Sequence, residues 1–120
     1  MSTLEVSNLN DGTTTVATTF VTNGSAKAWA NFDGSPVTIV TSLNTSSITD
    51  NSTGYFTVNF TSSFSEEHNS TGTRWNSTSN NNCMESFQSS SLTFQEIVTF
   101  ENGTAADPSR MRMVTHGDLA

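Results

Sequence analysis

The sequence predicts an all-β chain, an antiparallel β-sandwich or jelly-roll-like domain, on three observations. Apolar and polar residues alternate with period two in several short segments. Turn-forming Asn, Asp, Gly and Pro clusters separate those segments at roughly ten-residue spacing. Ser, Thr and Asn make up 53 of the 120 residues, and the straight-chain residues that favour helix interiors are sparse, so no amphipathic helix is expected.

Taken in order, Thr3–Ser7 and Thr14–Thr22 are short candidate strands on either side of the Asn10-Asp11-Gly12 turn signal. After Asn23-Gly24, Ala26, Ala28, Ala30 and Phe32 line one side of a strand whose other side carries Lys27, Trp29 and Asn31. Asp33-Gly34-Ser35-Pro36 then turns the chain into Val37–Ser42. Asp50-Asn51-Ser52-Thr53-Gly54 reads as a turn, without the spaced carboxylates and distal Glu of a calcium loop. In Tyr55–Thr61, Phe56, Val58 and Phe60 share a face. The stretch Ser65–Asn82 is polar and irregular, a long surface loop or a pair of weak strands. Cys83–Gln88 is a further short candidate. In Leu92–Phe100 the expected buried face is Leu92, Phe94, Val98 and Phe100, interrupted by Glu96. Asn102-Gly103 is a hairpin signal, and Arg110–His116 closes the series.

A chain of 12.9 kDa supports one domain. Its division is expected as residues 1–25, an amino-terminal docking or strand segment, and 26–120, the β domain. Leu, Ile, Val and Phe together are only one residue in five, so the core of a single copy is thin and help from oligomerisation or docking is expected. Four basic residues against eleven acidic ones give a net charge of −7. Lys27, Arg74, Arg110 and Arg112 are too few and too scattered to follow a phosphate backbone, which argues against nucleic acid as a partner. No apolar run is long enough to cross a bilayer as a helix, so no membrane insertion is expected. Met1–Val6 lacks the basic and apolar regions of a secretory signal. Cys83 stands alone, which excludes an internal disulfide and any multi-thiolate metal site within one chain.

Two segments carry a resemblance. Ala26-Lys27-Ala28-Trp29-Ala30-Asn31-Phe32-Asp33-Gly34 resembles the AKAWVNF-(N/D)G stretch of tail-fibre-like virion structural proteins of bacteriophages, marine and cyanobacterial ones in particular. The run from Ser42 to Phe60, with Ser46-Ser47-Ile48-Thr49-Asp50-Asn51-Ser52-Thr53-Gly54-Tyr55-Phe56-Thr57-Val58-Asn59-Phe60 at its heart, resembles the same family's SSITDNGTGDYTVNF module. The opening Ser2-Thr3-Leu4-Glu5-Val6 is similar to short amino termini of such proteins. Ser52 stands where the family has Gly, and Tyr55 follows Gly54 where the family has Asp. The match covers about residues 26–64. It implies a β-rich fibre, spike or knob module, often homotrimeric, that serves host attachment; the long amino-terminal shaft of a full fibre is not seen, which points to a fibre tip, a knob or a capsid-surface fibre.

No catalytic residue is assigned. His68 follows Glu66-Glu67 and His116 precedes Asp118, but serine is so abundant that a Ser/His/Asp pattern carries little information. Glu66 and Glu67 are adjacent, so on a strand they point to opposite faces and do not form a hydrolytic pair. No metal site and no cofactor are expected from one chain, although a trimer would gather three copies of His68 or His116 about its axis. The seven Asn-x-Ser/Thr sequons follow from composition. Arg74 and Trp75, with His68, are the candidates for contact with a host surface glycan. Trp29, Met111 and Met113 are the candidates for a subunit interface.

The expectation is a non-enzymatic virion protein, assembled in the host cytoplasm. It would be a tail fibre or fibre-knob module whose partners are its own copies, other virion proteins and a host glycan. A capsid decoration or knob protein on the head surface is the alternative.

Overall fold

The computed structural model describes residues 2–67, 70–76 and 83–120, with side chains described for all of these except 70, 71, 75, 76 and 83–88. The chain is mostly strand, and every pairing among the named strands is antiparallel. The amino-terminal part forms β1 (Asn8–Asn10) and β2 (Thr15–Ala17), a separate two-stranded sheet, and one helix, α1 (Thr18–Gly24).

Of the expected strand at Thr14–Thr22, Thr15–Ala17 is strand and Thr18–Thr22 is instead helix, and Thr3–Ser7 is not a strand. Local bonds hold this arrangement. Asp11 Oδ1 accepts from the backbone N–H groups of Thr13 and Thr14, an Asx-turn, and Gly12 takes φ +99°. The Thr18 N–H donates to Ser7 O, which ties the helix start to the residue that precedes β1. Lys27 Nζ donates to Thr22 O, Ser25 O and Ser25 Oγ, supplying a cation to the carbonyl end of the helix.

Eight further strands and one short one follow: β3 (Ala26–Gly34), β4 (Val37–Leu43), β5 (Thr45–Ser52), β6 (Tyr55–Phe60), β7 (Ser70–Asn76), β8 (Cys83–Ser90), β9 (Phe94–Glu101), β10 (Thr104–Ala105) and β11 (Arg110–His116). A four-stranded sheet runs β4-β3-β11-β7. A five-stranded sheet runs β5-β6-β9-β8, with β10 beside the end of β9 where β6 stops. Within Ser65–Asn82, the part described contains β7, so a strand occupies part of that irregular stretch.

One apolar cluster draws on both sheets. Ala28, Ala30, Phe32, Met111 and Met113 come from the four-stranded sheet, and Phe56, Val58, Phe60 and Ile97 from the five-stranded one; Phe64 completes it. Phe32 and Phe56 meet edge to face across the sheets, with centroids 5.7 Å apart. Each such buried ring contributes about 1.5–3 kcal/mol relative to exposure. Phe60 and Phe64 form a second edge-to-face pair at 5.0 Å.

The alternation in β3 and β6 is as the sequence predicts, but β9 presents its other face. Gln95, Ile97 and Thr99 are buried, while Phe94, Val98 and Phe100 are half-buried and Leu92 is exposed. Register decides it: Ile97 pairs with core residue Phe56, whereas Val98, Glu96 and Phe94 pair with Tyr55, Thr57 and Asn59 on the outer face. Glu96, the interruption on the expected apolar face, carries the signal for the outer side. Gln95 is satisfied inside by donating to Ser89 O and Glu96 O.

Two glycines, Gly34 and Gly54, meet a single stretch, residues 106–108. A Cβ on Gly34 would lie 2.6 Å from the Pro108 ring, and one on Gly54 would lie 2.8 Å from Ala106 N. Gly34 N donates to Pro108 O at 2.9 Å, and Gly54 N to Asp107 Oδ1 at 2.6 Å. The two hairpin tips, one from each sheet, are thus pinned to the same strand-to-strand connection.

Candidate functional site

The outer face of the four-stranded sheet collects residues that are far apart in sequence. In β3 the core takes Ala28, Ala30 and Phe32, so Lys27, Trp29, Asn31 and Asp33 fall on the opposite side. In β11 the core takes Met111, Met113 and Thr115, which leaves Arg110, Arg112, Val114 and His116 outward. Met111 and Met113 were expected at a subunit interface; they are buried within one chain, where unbranched thioether side chains fill the space between the sheets.

Register lines the outward residues into rows across the strands. Leu43, Trp29, Val114 and Gly72 form one row, from β4 through β3 and β11 to β7. Thr41, Asn31, Arg112 and Arg74 form the next. Neighbouring rows are about 7 Å apart along the strands, within reach of long side chains. Trp29, the third interface candidate, is half-buried on this face.

All four basic residues of the chain stand on this one sheet: Lys27, Arg74, Arg110 and Arg112. Its strands carry a single carboxylate, Asp33, whereas the five-stranded sheet carries Asp50, Glu85, Glu96 and Glu101 and no cation. Charges that look scattered along the chain are therefore gathered by the topology.

Two of the cations are engaged. Arg110 Nε bonds Asp33 Oδ1 at 2.7 Å, and Lys27 binds the helix-end carbonyls. Arg74 and Arg112 are exposed, directly opposite each other in register, and among the described residues neither has an ion-pair partner. Beside them lies a recess of about 290 Å³, lined by Gly72, Thr73, Arg74, Arg112, Met113 and Val114. Gly72, opposite Val114, has no side chain to fill the space. On the far flank of Arg112, the Asn31 side-chain oxygen is buried with no hydrogen-bond partner among the described residues.

The other sequence candidates are placed as follows. Arg74 is in the pair just described. Trp75 pairs through its backbone with Met111, and its side chain lies outside the described residues, as does His68 altogether. His116 is half-buried at the end of β11, with its backbone opposite Ala26 and Ser70. Arg112 and Asn31 were not singled out in the sequence; the i, i+2 alternation of Arg110 and Arg112 around Met111 was the signal for the first, and nothing local marked the second. Among the described residues no group of three His, Cys, Asp or Glu side chains is placed to hold a metal ion.

On the outer side of the five-stranded sheet, Glu96 accepts from Ser89 Oγ at 2.6 Å and from the Tyr55 hydroxyl. The Ser89 and Tyr55 bonds hold the Glu96 carboxyl below its usual range, and the bond to Glu96 pushes the Tyr55 phenol up. Both groups are solvent-accessible, so this is a surface bond network.

Comparison of the chain with protein-family models, with curated proteins and with solved structures found no match in any of the three.

Proposed function

We propose that the chain is an adhesion module: two facing antiparallel sheets forming a β-sandwich, assembled as a homotrimer, that binds a surface ligand without catalysis. More particularly, the reading is a tail fibre or fibre-knob module of a phage virion that attaches the particle to its host. The resemblance over residues 26–64 supports that assignment, and its positions are those with a physical task. Ala28, Ala30, Phe32, Phe56, Val58 and Phe60 are core, and Gly34 and Gly54 are close-approach sites.

The observation that carries the adhesive role is the outer face of the four-stranded sheet. A β surface presents an aromatic ring and guanidinium groups in rows, two of them without an ion-pair partner among the described residues, on a chain that is otherwise acidic and hydroxyl-rich. Weak contacts of that kind become effective through several copies on one particle.

The trimer draws support from residues 1–25. Leu4, Val6, Leu9, Val16, Phe20 and Val21 are all exposed there, with Leu4 at 81% and Phe20 at 74%. So many apolar side chains left open in one short segment mark a contact surface. A groove between the opening residues and the helix is lined by Leu4, Val6, Thr18 and Thr22. The exposed Phe20 and this groove lie on different parts of the segment, so a contact between them on successive copies would be head-to-tail and would close in a ring.

The test is the solution mass of the purified protein by light scattering or native mass spectrometry. The expected result is three copies per particle, stable on dilution. A folded monomer would overturn the self-sufficient trimeric fibre and favour a decoration protein that needs another virion surface to assemble.

A further inference from the structure

We infer that Arg74 and Arg112, with the recess beside them, form a binding site for the carboxylate or sulfate group of an acidic saccharide. The inference rests on the adhesive reading for its choice of a saccharide and goes beyond it in naming the charge class and the residues.

Three observations carry it. First, like charges placed directly opposite on adjacent strands destabilise a sheet, yet these two arginines face each other and, among the described residues, no carboxylate pairs with either. The chain has eleven acidic residues, and its only cation-rich sheet spends one, Asp33, on Arg110. Two guanidiniums about 5 Å apart at their Cβ atoms present forked donors to one oxyanion, a geometry that binds carboxylate or sulfate through two bonds from each fork. An anion between them removes the mutual repulsion as well as gaining the bonds.

Second, the recess of about 290 Å³ has the apolar Val114 side chain beside the charged rim. It exists because Gly72 leaves the position opposite Val114 empty. That volume lies at the small end of ligand pockets, suited to one ring. Third, Trp29 stands on the same face beside Val114, one row from Arg112, where an indole can receive the C–H face of a sugar. Asn31 in the arginine row keeps a buried acceptor oxygen, without a hydrogen-bond partner among the described residues, on the flank of Arg112.

Nucleic acid does not fit the same site. Four cations on one sheet, two of them engaged, neutralise too few phosphates, and the rest of the chain repels a polyanion at its net charge of −7.

Calorimetric titration of the full chain tests the site with three probes: a uronate tetrasaccharide, a sulfated heparin disaccharide and the neutral maltotetraose. The same titrations are run on Arg74→Gln/Arg112→Gln, whose folding is checked by its thermal midpoint and whose mass is checked in solution. The expected result is that an acidic probe binds and maltotetraose does not. Affinity should fall about tenfold or more in the double variant and weaken as salt is raised. Equal binding of neutral and acidic probes, or no loss in the double variant, would overturn the arginine site and leave adhesion intact through another surface. No binding of any probe overturns the site, and adhesion then stands or falls separately on whether labelled protein adheres to bacterial cells. A double variant that changes its oligomeric mass would show the arginines to be a contact between copies, which also overturns the proposal.

Discussion

Tyr55 and Glu96 show what a single surface bond does to titration. Glu96 is held below the ordinary carboxyl value of 4.5, so its contribution to stability is present above that value and is lost as pH falls through the lowered one. Tyr55 is pushed above 10.0, so its contribution is full below pH 10 and is lost as pH rises through the raised value. The chain has one tyrosine, which makes the phenolate absorbance a clean reporter. In Glu96→Gln the charge and the strong acceptor are gone, and the Tyr55 midpoint should move down toward 10.0; an unchanged midpoint would show that the bond is not made in solution. At the amino terminus Asp11 follows the same rule more strongly. Bonds from the Thr14 and Thr13 backbone lower its pKa to about 2, so its turn should hold until the pH falls through that value.

Among the elements, the β5–β6 hairpin shows a turn tied to distant chain. Its tip glycine, Gly54, has φ +71°, and a Cβ there would lie 2.5 Å from Thr99 O. Thr99 N donates to Gly54 O at 2.7 Å, and the buried Thr99 hydroxyl donates to Ala106 O at 2.6 Å. Gly54→Ala should therefore cost more than about 1 kcal/mol, the left-handed backbone penalty plus a clash with backbone that cannot retreat. Gly12→Ala, also at positive φ but in open space, should cost less. Denaturant midpoints of the two variants compare them directly, and equal losses would mean the contact at the hairpin tip is not what constrains Gly54. The element level is also where sequence reading was strongest. The alanine stripe of β3, the Phe56-Val58-Phe60 face of β6 and the Asn102-Gly103 turn, with φ values of 52° and 79°, are all as local pattern predicts. The helix was missed because Thr18–Gly24 has poor intrinsic propensity and buries no residue, so neither composition nor periodicity marked it.

For the whole molecule, the β domain covers its core and leaves the amino-terminal apolar residues open. The extents of 50 × 29 × 23 Å describe an elongated body. If those residues join copies, Phe20→Ser should shift the solution mass from trimer toward monomer while the β domain keeps its circular dichroism signature; retention of the trimer would move the interface elsewhere. Met111→Ser would act differently, since that side chain is fully buried between the sheets and its loss strikes the fold of each copy.

The sequence by itself determined the class of structure, most strand positions, the Asn102-Gly103 turn and the inward parity of β3 and β6, because alternation and turn chemistry are local properties of a chain; the expected Asn23-Gly24 turn is instead the helix end, and Asp50 to Ser52 of the expected Asp50–Gly54 turn belong to β5. Tertiary structure decided what local pattern cannot contain. It chose which face of β9 turns inward, since partner register with β6 outweighs a modest excess of apolar residues on the other side. It made Met111 and Met113 core rather than contact residues. It also brought Lys27, Arg74, Arg110 and Arg112 onto one sheet, because β3, β7 and β11 become neighbours only through long-range pairing. The candidate site is a product of that pairing, which is why Arg74 was visible in the sequence and its partner across the strand was not.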